Sequence, residues 1–208
     1  FRRVLFRSSW DEYWTKLDAA AESNQLPDIF WMHTNQILKY ADYGKLADVT
    51  DLYDQEDPDY YTKHFSEISL NNAKGSDGRI YGVPKDKDTV CLVYNREMFD
   101  NAGLAYPDES WTWDDLTEAS AAVYDKTGKY GFMAYADEQL GYWNFVYQAG
   151  GHILNEDKTK AGFMDPATRK GMEFYIHLQK EPWCPDQKYF AETNPGTAFK
   201  IGRASCRE

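Results

Sequence analysis

Helix-patterned segments alternate regularly with short apolar runs along this chain, and this alternation limits the folds it can adopt. Apolar residues recur at helical spacing over 10–23, and the four-residue apolar run 29–32 follows a Pro-Asp breaker. Further along, the strand-like run 130–135 precedes helical patterns over 139–149 and 166–179. Helices that alternate with short strands favour an α/β class in which helices cover the sheets.

Local signals predict where several elements begin and end. Ser9 begins one capping box and Thr112 another, and Asp165 before a proline is typical of a helix start. The run 89–94 is apolar at nearly every position, which is typical of a strand covered on both faces. The other predicted features are a helix from 37 to Gly44, a surface turn or short helix over 50–58, a helix over 59–71, a turn over 75–78, a strand over 79–83, a helix over 96–101 closed by Gly103, a hairpin over 153–163, and one helix face shared by Met172, Tyr175, Ile176 and Gln179.

The composition excludes several classes of protein. The chain has 208 residues and a formal net charge of −11, so a phosphate backbone or an anionic membrane surface would repel it. Its 7 Trp, 16 Tyr and 11 Phe supply more apolar surface than a disordered acidic segment carries. The three cysteines are irregularly spaced, unlike those of a zinc ribbon, and no run of about 18 apolar residues is present. We therefore expect no nucleic-acid partner, no metal and no cofactor.

The two ends differ in composition from the rest of the chain. Residues 1–8 and 201–208 carry five arginines between them, and both segments resemble translated adapter oligonucleotides from sequencing libraries. We interpret both as foreign peptides and leave them out of the fold argument. Without those arginines and Glu208, the body has 18 basic and 33 acidic residues and a net charge of −15. Residues 9–200 are therefore expected to be a piece of a longer protein.

Catalytic sequence templates are missing from the chain. It has no nucleophile elbow, phosphate-binding glycine loop, dinucleotide fingerprint or zinc-protease motif, and its four histidines stand alone. Carboxylates are so abundant that a general acid–base pair stays open as an alternative.

The positions of the aromatic residues are more informative. Trp31 ends a predicted strand, and Tyr142 and Trp143 begin a predicted helix, which are positions where open α/β sheets bind ligands. Flat rings beside carboxylates and amides suit a hydroxyl-rich ligand, although core packing would explain these three rings equally well. Core packing is the prediction for Trp10, Trp14, Trp111 and Trp113.

An ordered series of short motifs runs through the body of the chain. It comprises PDIFW at 27–31, GKLADVT at 44–50, GRIYGVP at 78–84, LVYNREMF at 92–99 and WTWDDL at 111–116. In this order the motifs resemble the extracellular solute-binding proteins of family 1, the maltose-binding-protein-like receptors of ABC sugar importers. The specificity lies in the order, above all in Tyr-Gly-x-Pro followed by Tyr-Asn-x-x-x-Phe, because each motif alone is weak.

The resemblance implies an α/β, periplasmic-binding-protein-like fold of type II with two lobes, here incomplete. Residues 9–87 correspond to the first lobe without its first strand and helix, and residues 88–200 to part of the second lobe. The family's segment after 200 leads to a buried strand, where this chain carries the foreign peptide 201–208. The resemblance further implies a monomeric, non-enzymatic receptor, extracellular or periplasmic and anchored as a lipoprotein in the full-length parent. Such a receptor delivers a small carbohydrate ligand to an ABC transporter membrane permease.

The resemblance also assigns ligand-binding residues in both lobes. Trp31 matches the family's aromatic residue at the end of a first-lobe strand, and polar residues of the following loop lie beside it. Asp88 matches an acidic contact near the crossover between lobes, and Trp143 matches the second-lobe aromatic residue before the Gly150-Gly151 turn. The complete predicted set is Trp31, His33, Thr34, Asn35, Lys85, Asp86, Asp88, Glu138, Tyr142 and Trp143.

Two other functions stay open at this stage. A carbohydrate-active hydrolase would use two carboxylates about 5 to 10 Å apart across a sugar site, one of them with a raised pKa. A receptor of the same family for another solute, such as a polyamine, would use carboxylates and aromatic rings equally well. For the receptor that the resemblance implies, the isolated piece is expected to be poorly stable and to bind sugar weakly or not at all, because the family's C-terminal half normally completes both lobes.

Overall fold

The computed structural model describes residues 9–53, 59, 63–157 and 159–207, and the chain divides into two compact units between Asp88 and Thr89. This boundary lies one residue beyond the predicted division between lobes. The foreign peptide predicted at 1–8 lies outside the described residues, as do parts of the elements predicted over 50–58 and 59–71.

The first unit is built from short helices. Helix α1 spans Trp10–Glu22, α2 spans Thr34–Asp42, a 3-10 turn spans Thr50–Tyr53 and α3 spans Glu67–Asn71. The predicted helix over 59–71 is interrupted, because Ser66 has an extended backbone and caps α3 with its hydroxyl.

Helices α1 and α2 enclose the core of the first unit. Leu17, Ala21 and Tyr40 are buried there, and the Tyr40 hydroxyl donates to Asp18 Oδ1 at 2.7 Å. The predicted ends of both helices are confirmed: Ser9 accepts a hydrogen bond at the start of α1, and α2 ends just before Gly44.

The buried strand predicted over 29–32 is wrong. No strand forms there in the described part of the chain, and the side chains alternate in burial. Ile29 is 74% and Trp31 is 70% exposed, whereas Phe30 and Met32 pack against the core between α1 and α2. A strand requires a ladder of hydrogen bonds to a neighbouring strand, which an apolar run alone does not supply.

The strands predicted over 79–83 and 89–94 form only in part. Ile80 makes an isolated antiparallel bridge with Lys74 across the confirmed turn, and strand β1 is limited to Val93–Tyr94. Val90 and Val93 are 41% and 36% exposed, so the expectation that this run is covered on both faces is also wrong. The apolar pattern again failed to specify a partner strand.

The second unit contains a three-stranded sheet. Strand β2 spans Tyr130–Phe132 and β3 spans Ala204–Arg207, and β3 lies between the other two strands. It is antiparallel to β1 and parallel to β2. Ala204, Ser205 and Cys206 are buried. Part of the predicted foreign peptide 201–208 therefore forms the middle strand of this sheet, at the point where the resemblance leads to a buried strand.

Helices pack around this sheet. The caps predicted at Thr112 and Asp165 are confirmed, and the backbone of Gly103 is left-handed with φ of 70°. The predicted hairpin over 153–163 is reduced to one bridge between Leu154 and Ala161. The helical elements are α4 Arg96–Ala102, α5 Trp113–Thr127, a π-helical segment Glu138–Tyr142, α6 Trp143–Gln148, α7 Pro166–Leu178, α8 Gln187–Glu192 and α9 Pro195–Lys200.

Close packing of α6 on α7 positions the elements that carry predicted site residues. Phe99, Phe132, Phe145 and Leu178 are buried in the core of this unit. A Cβ atom at Gly171 would lie 2.6 Å from the backbone of α6, so glycine is needed for the two helices to approach this closely. No described helix is long and apolar enough to cross a membrane.

Candidate ligand-binding site

Trp31 is held at the surface of the first unit with most of its ring exposed. Its backbone oxygen accepts a hydrogen bond of 2.6 Å from the Tyr13 hydroxyl of α1, which ties the segment to the helix. Burial raises the pKa of Tyr13, so the hydroxyl stays protonated and remains a donor at neutral pH. The indole is 70% exposed, which leaves a large flat apolar surface available for a ligand.

Two more predicted residues come together at Trp31. The Lys85 ammonium lies 4.0 Å from the centre of the indole ring, within the range of a cation–π interaction. The same ammonium pairs with the carboxylate of Asp86. Asp88 is exposed two residues further along the chain. This part of the first unit therefore combines a ring, a cation and exposed carboxylates.

The predicted polar residues 33–35 lie at the start of α2, where a loop was expected. His33 is the N-cap residue, and its Nδ1 accepts from the Asn35 amide at 3.3 Å. Thr34 is the first residue of the helix. The helix begins at Thr34, three residues before the predicted start at position 37, because the His33 side chain caps it.

Trp10 is a candidate that the sequence analysis missed. Its ring contacts the His33 ring edge-on, with centroids 5.3 Å apart, and it is 59% exposed. The prediction that it lies in the core is wrong, because the first residue of α1 projects beyond the region where α1 and α2 pack. Trp14, Trp111 and Trp113 pack against the cores, as predicted.

In the second unit, a groove of about 230 Å³ lies between the π-helical segment and α7. The predicted residues Glu138 and Tyr142 line one side, next to Ala136 and Asp137. A larger depression elsewhere in this unit contains none of the predicted residues. The other side of the groove is lined by Met172, Tyr175, Ile176 and Gln179.

The sequence pattern predicted the α7 face that lines this groove, but it assigned that face no function. Its four residues follow helical spacing, and the prediction that they share one face is confirmed. Because Tyr142 lies opposite this face, a ring that entered the groove would contact the Tyr142 ring on one side and the apolar side chains of Met172 and Ile176 on the other.

Hydrogen bonds hold the π-helical segment in place. Asp137 Oδ1 accepts from the Leu140 amide at 2.6 Å, which caps the segment. The Tyr175 hydroxyl of α7 donates to the Tyr135 backbone oxygen at 2.7 Å, just before the segment begins. Gly141 lies so close to Tyr175 that a Cβ atom would approach its hydroxyl to 2.7 Å. Helix α7 therefore positions the segment that carries Glu138 and Tyr142.

Trp143 differs from Trp31 in its surroundings. It is the first residue of α6, it is partly buried, and it is not among the residues that line the groove. Its indole nitrogen is enclosed and has no hydrogen-bond partner within the described residues. Tyr142 is therefore the predicted aromatic residue that faces the groove.

The chemistry of both clusters suits an uncharged polar ring. Each offers an exposed or groove-lining aromatic side chain with carboxylates nearby, and Gln179 adds an amide in the second unit. Apolar C–H groups of a sugar pack on such rings, and its hydroxyls donate to carboxylate oxygens. Among the described residues, no group of three or more His, Cys, Asp or Glu side chains is arranged to hold a metal ion.

Comparison with known proteins places these features in a family. The family model described as "Bacterial extracellular solute-binding protein" matches residues 3–203. The diacetylchitobiose binding protein DasA of Streptomyces coelicolor is 26% identical over 196 residues, which cover 93% of this chain and 44% of that protein. An arabinooligosaccharide-binding protein of Halalkalibacterium halodurans is 33% identical over 86 residues, which cover 41% of this chain and 19% of that protein.

The solved structures agree with the sequence comparison. An ABC substrate-binding protein from Listeria monocytogenes in complex with cycloalternan superposes with a TM-score of 0.84 and 25% identity. The match covers 96% of this chain and 51% of that one, so this chain spans about half the length of these proteins. The predicted fold is confirmed as periplasmic-binding-protein-like, of type II and incomplete. By its sequence and its fold, the chain belongs to the bacterial extracellular solute-binding protein family.

Proposed function

We propose that this chain is the ligand-binding part of an oligosaccharide receptor that delivers its ligand unchanged to the permease of an ABC transporter. The observation that carries the proposal is the Trp31 indole, 70% exposed on a backbone that Tyr13 fixes. Exposure of so large a ring forgoes the burial that usually stabilises tryptophan in a fold. A ligand that stacks on the ring would recover part of that burial.

In the first unit, Trp31 would carry one sugar ring and the polar groups around it would select its hydroxyls. Asp86 and Asp88 offer acceptor oxygens, and Asn35 offers a side-chain amide whose Oδ1 lies 2.6 Å from His33 Nδ1. His33 holds the start of α2 in place through its cap. Polar contacts of this kind fix the orientation of a ligand, while the ring contributes apolar contact area.

In the second unit, the groove would offer a second place where a sugar ring can bind. Tyr142 provides its aromatic wall, Glu138 an acceptor for hydroxyls, and Gln179 an amide that both donates and accepts. Trp143 begins α6 directly after the π-helical segment and does not line the groove, so Tyr142 is the aromatic residue that would contact the ligand there.

The relatives support a neutral oligosaccharide as the ligand. The proteins that this chain resembles are described as binding diacetylchitobiose and arabinooligosaccharide, and the Listeria protein was solved with cycloalternan. Family members are solute-binding proteins of the extracellular class. Extracellular or periplasmic location, lipoprotein anchoring and a monomeric state are part of the same proposal.

Saturation-transfer difference NMR tests this function, because it detects weak binding to a small chain. Diacetylchitobiose, arabinotriose and cycloalternan would be added separately to the folded 208-residue chain. We expect transfer to the C–H protons of at least one of these sugars, and we expect that sugar to be recovered intact after prolonged incubation. Absence of transfer for all three contradicts the oligosaccharide ligand, and release of shorter sugars favours a hydrolase.

A further inference from the structure

One face of the exposed Trp31 ring is already occupied by a cation from the same chain. The distance of 4.0 Å between the Lys85 ammonium and the ring centre is well inside the limit of about 6 Å for a cation–π contact. The contacts of Lys39 with Tyr40 and of Lys170 with Trp113 are longer, at 5.7 and 5.8 Å. Lys85 therefore makes the shortest lysine–ring contact in the part of the chain that the structure describes.

This contact is built at the surface and is not a by-product of core packing. About half of the Lys85 side chain remains exposed, and Asp86 pairs with its ammonium. Pro84 fixes the backbone φ directly before the lysine, and the Tyr13 hydroxyl fixes the backbone of Trp31. Both partners are thus held from their backbones, which favours the contact in solution.

We infer that Lys85 is an internal cation that closes the Trp31 ring to cationic solutes, so that the site selects uncharged rings. The inference rests on the proposed role of Trp31 as a ligand platform. The body of the chain has a net charge of −15 and would attract polyamines from solution. The ring and Asp86 together form the environment that an alkylammonium group prefers, and Lys85 already fills it.

Displacement of the Lys85 ammonium from the Trp31 ring costs an uncharged sugar less free energy than it costs a cation. An exposed cation–π contact is worth roughly two- to fivefold in an equilibrium constant, so a neutral ring that stacks well displaces the ammonium at modest cost. The displaced ammonium then donates hydrogen bonds to sugar hydroxyls. A polyamine must displace the same group and also suffers repulsion from it, because both carry positive charge. Lys85 therefore separates the two classes of ligand.

The test needs no sugar, so its result is independent of the proposed function. Hydroxyl-radical footprinting with mass spectrometry measures the oxidation rate of Trp31, with and without spermidine, relative to Tyr43. Tyr43 is 74% exposed at the far end of α2 and serves as the internal reference. The variants are Lys85→Ala, Lys85→Arg, which keeps the charge, and Lys87→Ala as a matched control in the same exposed segment.

We expect Trp31 in Lys85→Ala to oxidise at least about twofold faster than in the unmodified chain, because the ring face is uncovered. We also expect spermidine to protect Trp31 in Lys85→Ala but neither in the unmodified chain nor in Lys85→Arg or Lys87→Ala. Equal oxidation rates in Lys85→Ala and the unmodified chain would overturn the inference. Protection by spermidine in the unmodified chain, or its absence in Lys85→Ala, would overturn it as well.

Discussion

The close approach of Gly141 to Tyr175 predicts that two substitutions compensate each other. In Gly141→Ala, the new Cβ atom would lie 2.7 Å from the Tyr175 hydroxyl, against 3.4 Å or more in ordinary contacts, so the oxygen must retreat by about 0.7 Å. This movement weakens the 2.7 Å hydrogen bond to Tyr135. Overpacking costs about 1–3 kcal/mol and a compromised buried hydrogen bond about 1–3 kcal/mol. We expect Gly141→Ala to lower the free energy of unfolding by about 2–4 kcal/mol.

Tyr175→Phe removes the hydroxyl oxygen that the new Cβ atom would approach too closely. The next nearest ring atom of Tyr175, Cζ, lies 3.1 Å from the new Cβ position, so a small shift of the ring suffices. Gly141→Ala should therefore cost about 1–2 kcal/mol less in the Tyr175→Phe background, while any other effect of the methyl group is common to both backgrounds and cancels.

Urea unfolding of the four chains measures this coupling. The unmodified chain, the two single variants and the double variant are compared by circular dichroism under identical conditions. A coupling of zero within error would refute the idea that α7 positions the π-helical segment through this contact. Measuring the sugar affinity of the same four chains would show whether Glu138 and Tyr142 move with the segment.

Three further predictions concern the stability and the cysteines of the chain. Ser205→Ala should lower the free energy of unfolding by about 1–3 kcal/mol, because it deletes a buried hydrogen bond of 2.6 Å that links β3 to β2; urea unfolding that matches the unmodified chain contradicts this. The hydrogen bond from Tyr40 lowers the pKa of Asp18 below 3.8, so the folded state gains stability above that pH and loses it as the pH falls through the lowered pKa. Asp18→Asn should therefore flatten the fall of stability between pH 5 and pH 2, and an unchanged slope would disprove the assignment. Burial raises the pKa of the Cys184 thiol to about 12, so a thiol reagent at pH 8 should label exposed Cys91 rapidly but label Cys184 only after denaturation, as mass spectrometry would show.

Helix ends could be predicted from the sequence because their signals are local. The cap residues Ser9, Thr112 and Asp165 each accept a hydrogen bond from the amide three residues further along the chain, and each begins a helix in the structure. Gly103 likewise supplies the left-handed residue that closes α4. Such contacts need only residues that are neighbours in sequence.

Strands depended on partners that the sequence did not reveal. The apolar run 29–32 has the composition of a strand but pairs with none in the described residues, whereas β3 pairs with both β1 and β2 from within the predicted foreign peptide 201–208. The foreign origin of that peptide stays a prediction. Pairing between distant segments is decided by tertiary contacts, for which local composition carries little information.

The candidate site could be predicted only in part, because it also depends on tertiary contacts. The motif series indicated Trp31, and the structure shows this residue largely exposed, with the Lys85 ammonium over one face of its ring. The sequence did not reveal which tryptophan rings are exposed. Trp10, for example, was predicted to lie in the core but lies at the surface. The role of α7 required knowledge of which helix faces Tyr142, and that is a tertiary contact.

Two matched substitutions decide whether the exposed Trp31 ring carries the ligand. Trp31→Ala and Tyr43→Ala each remove an aromatic ring that is at least 70% exposed, at sites separated by roughly 15 Å along α2. Their melting temperatures should therefore stay close to that of the unmodified chain. In saturation-transfer difference NMR with the bound oligosaccharide, we expect loss of transfer in Trp31→Ala and full transfer in Tyr43→Ala. Undiminished transfer in a folded Trp31→Ala chain would contradict this expectation.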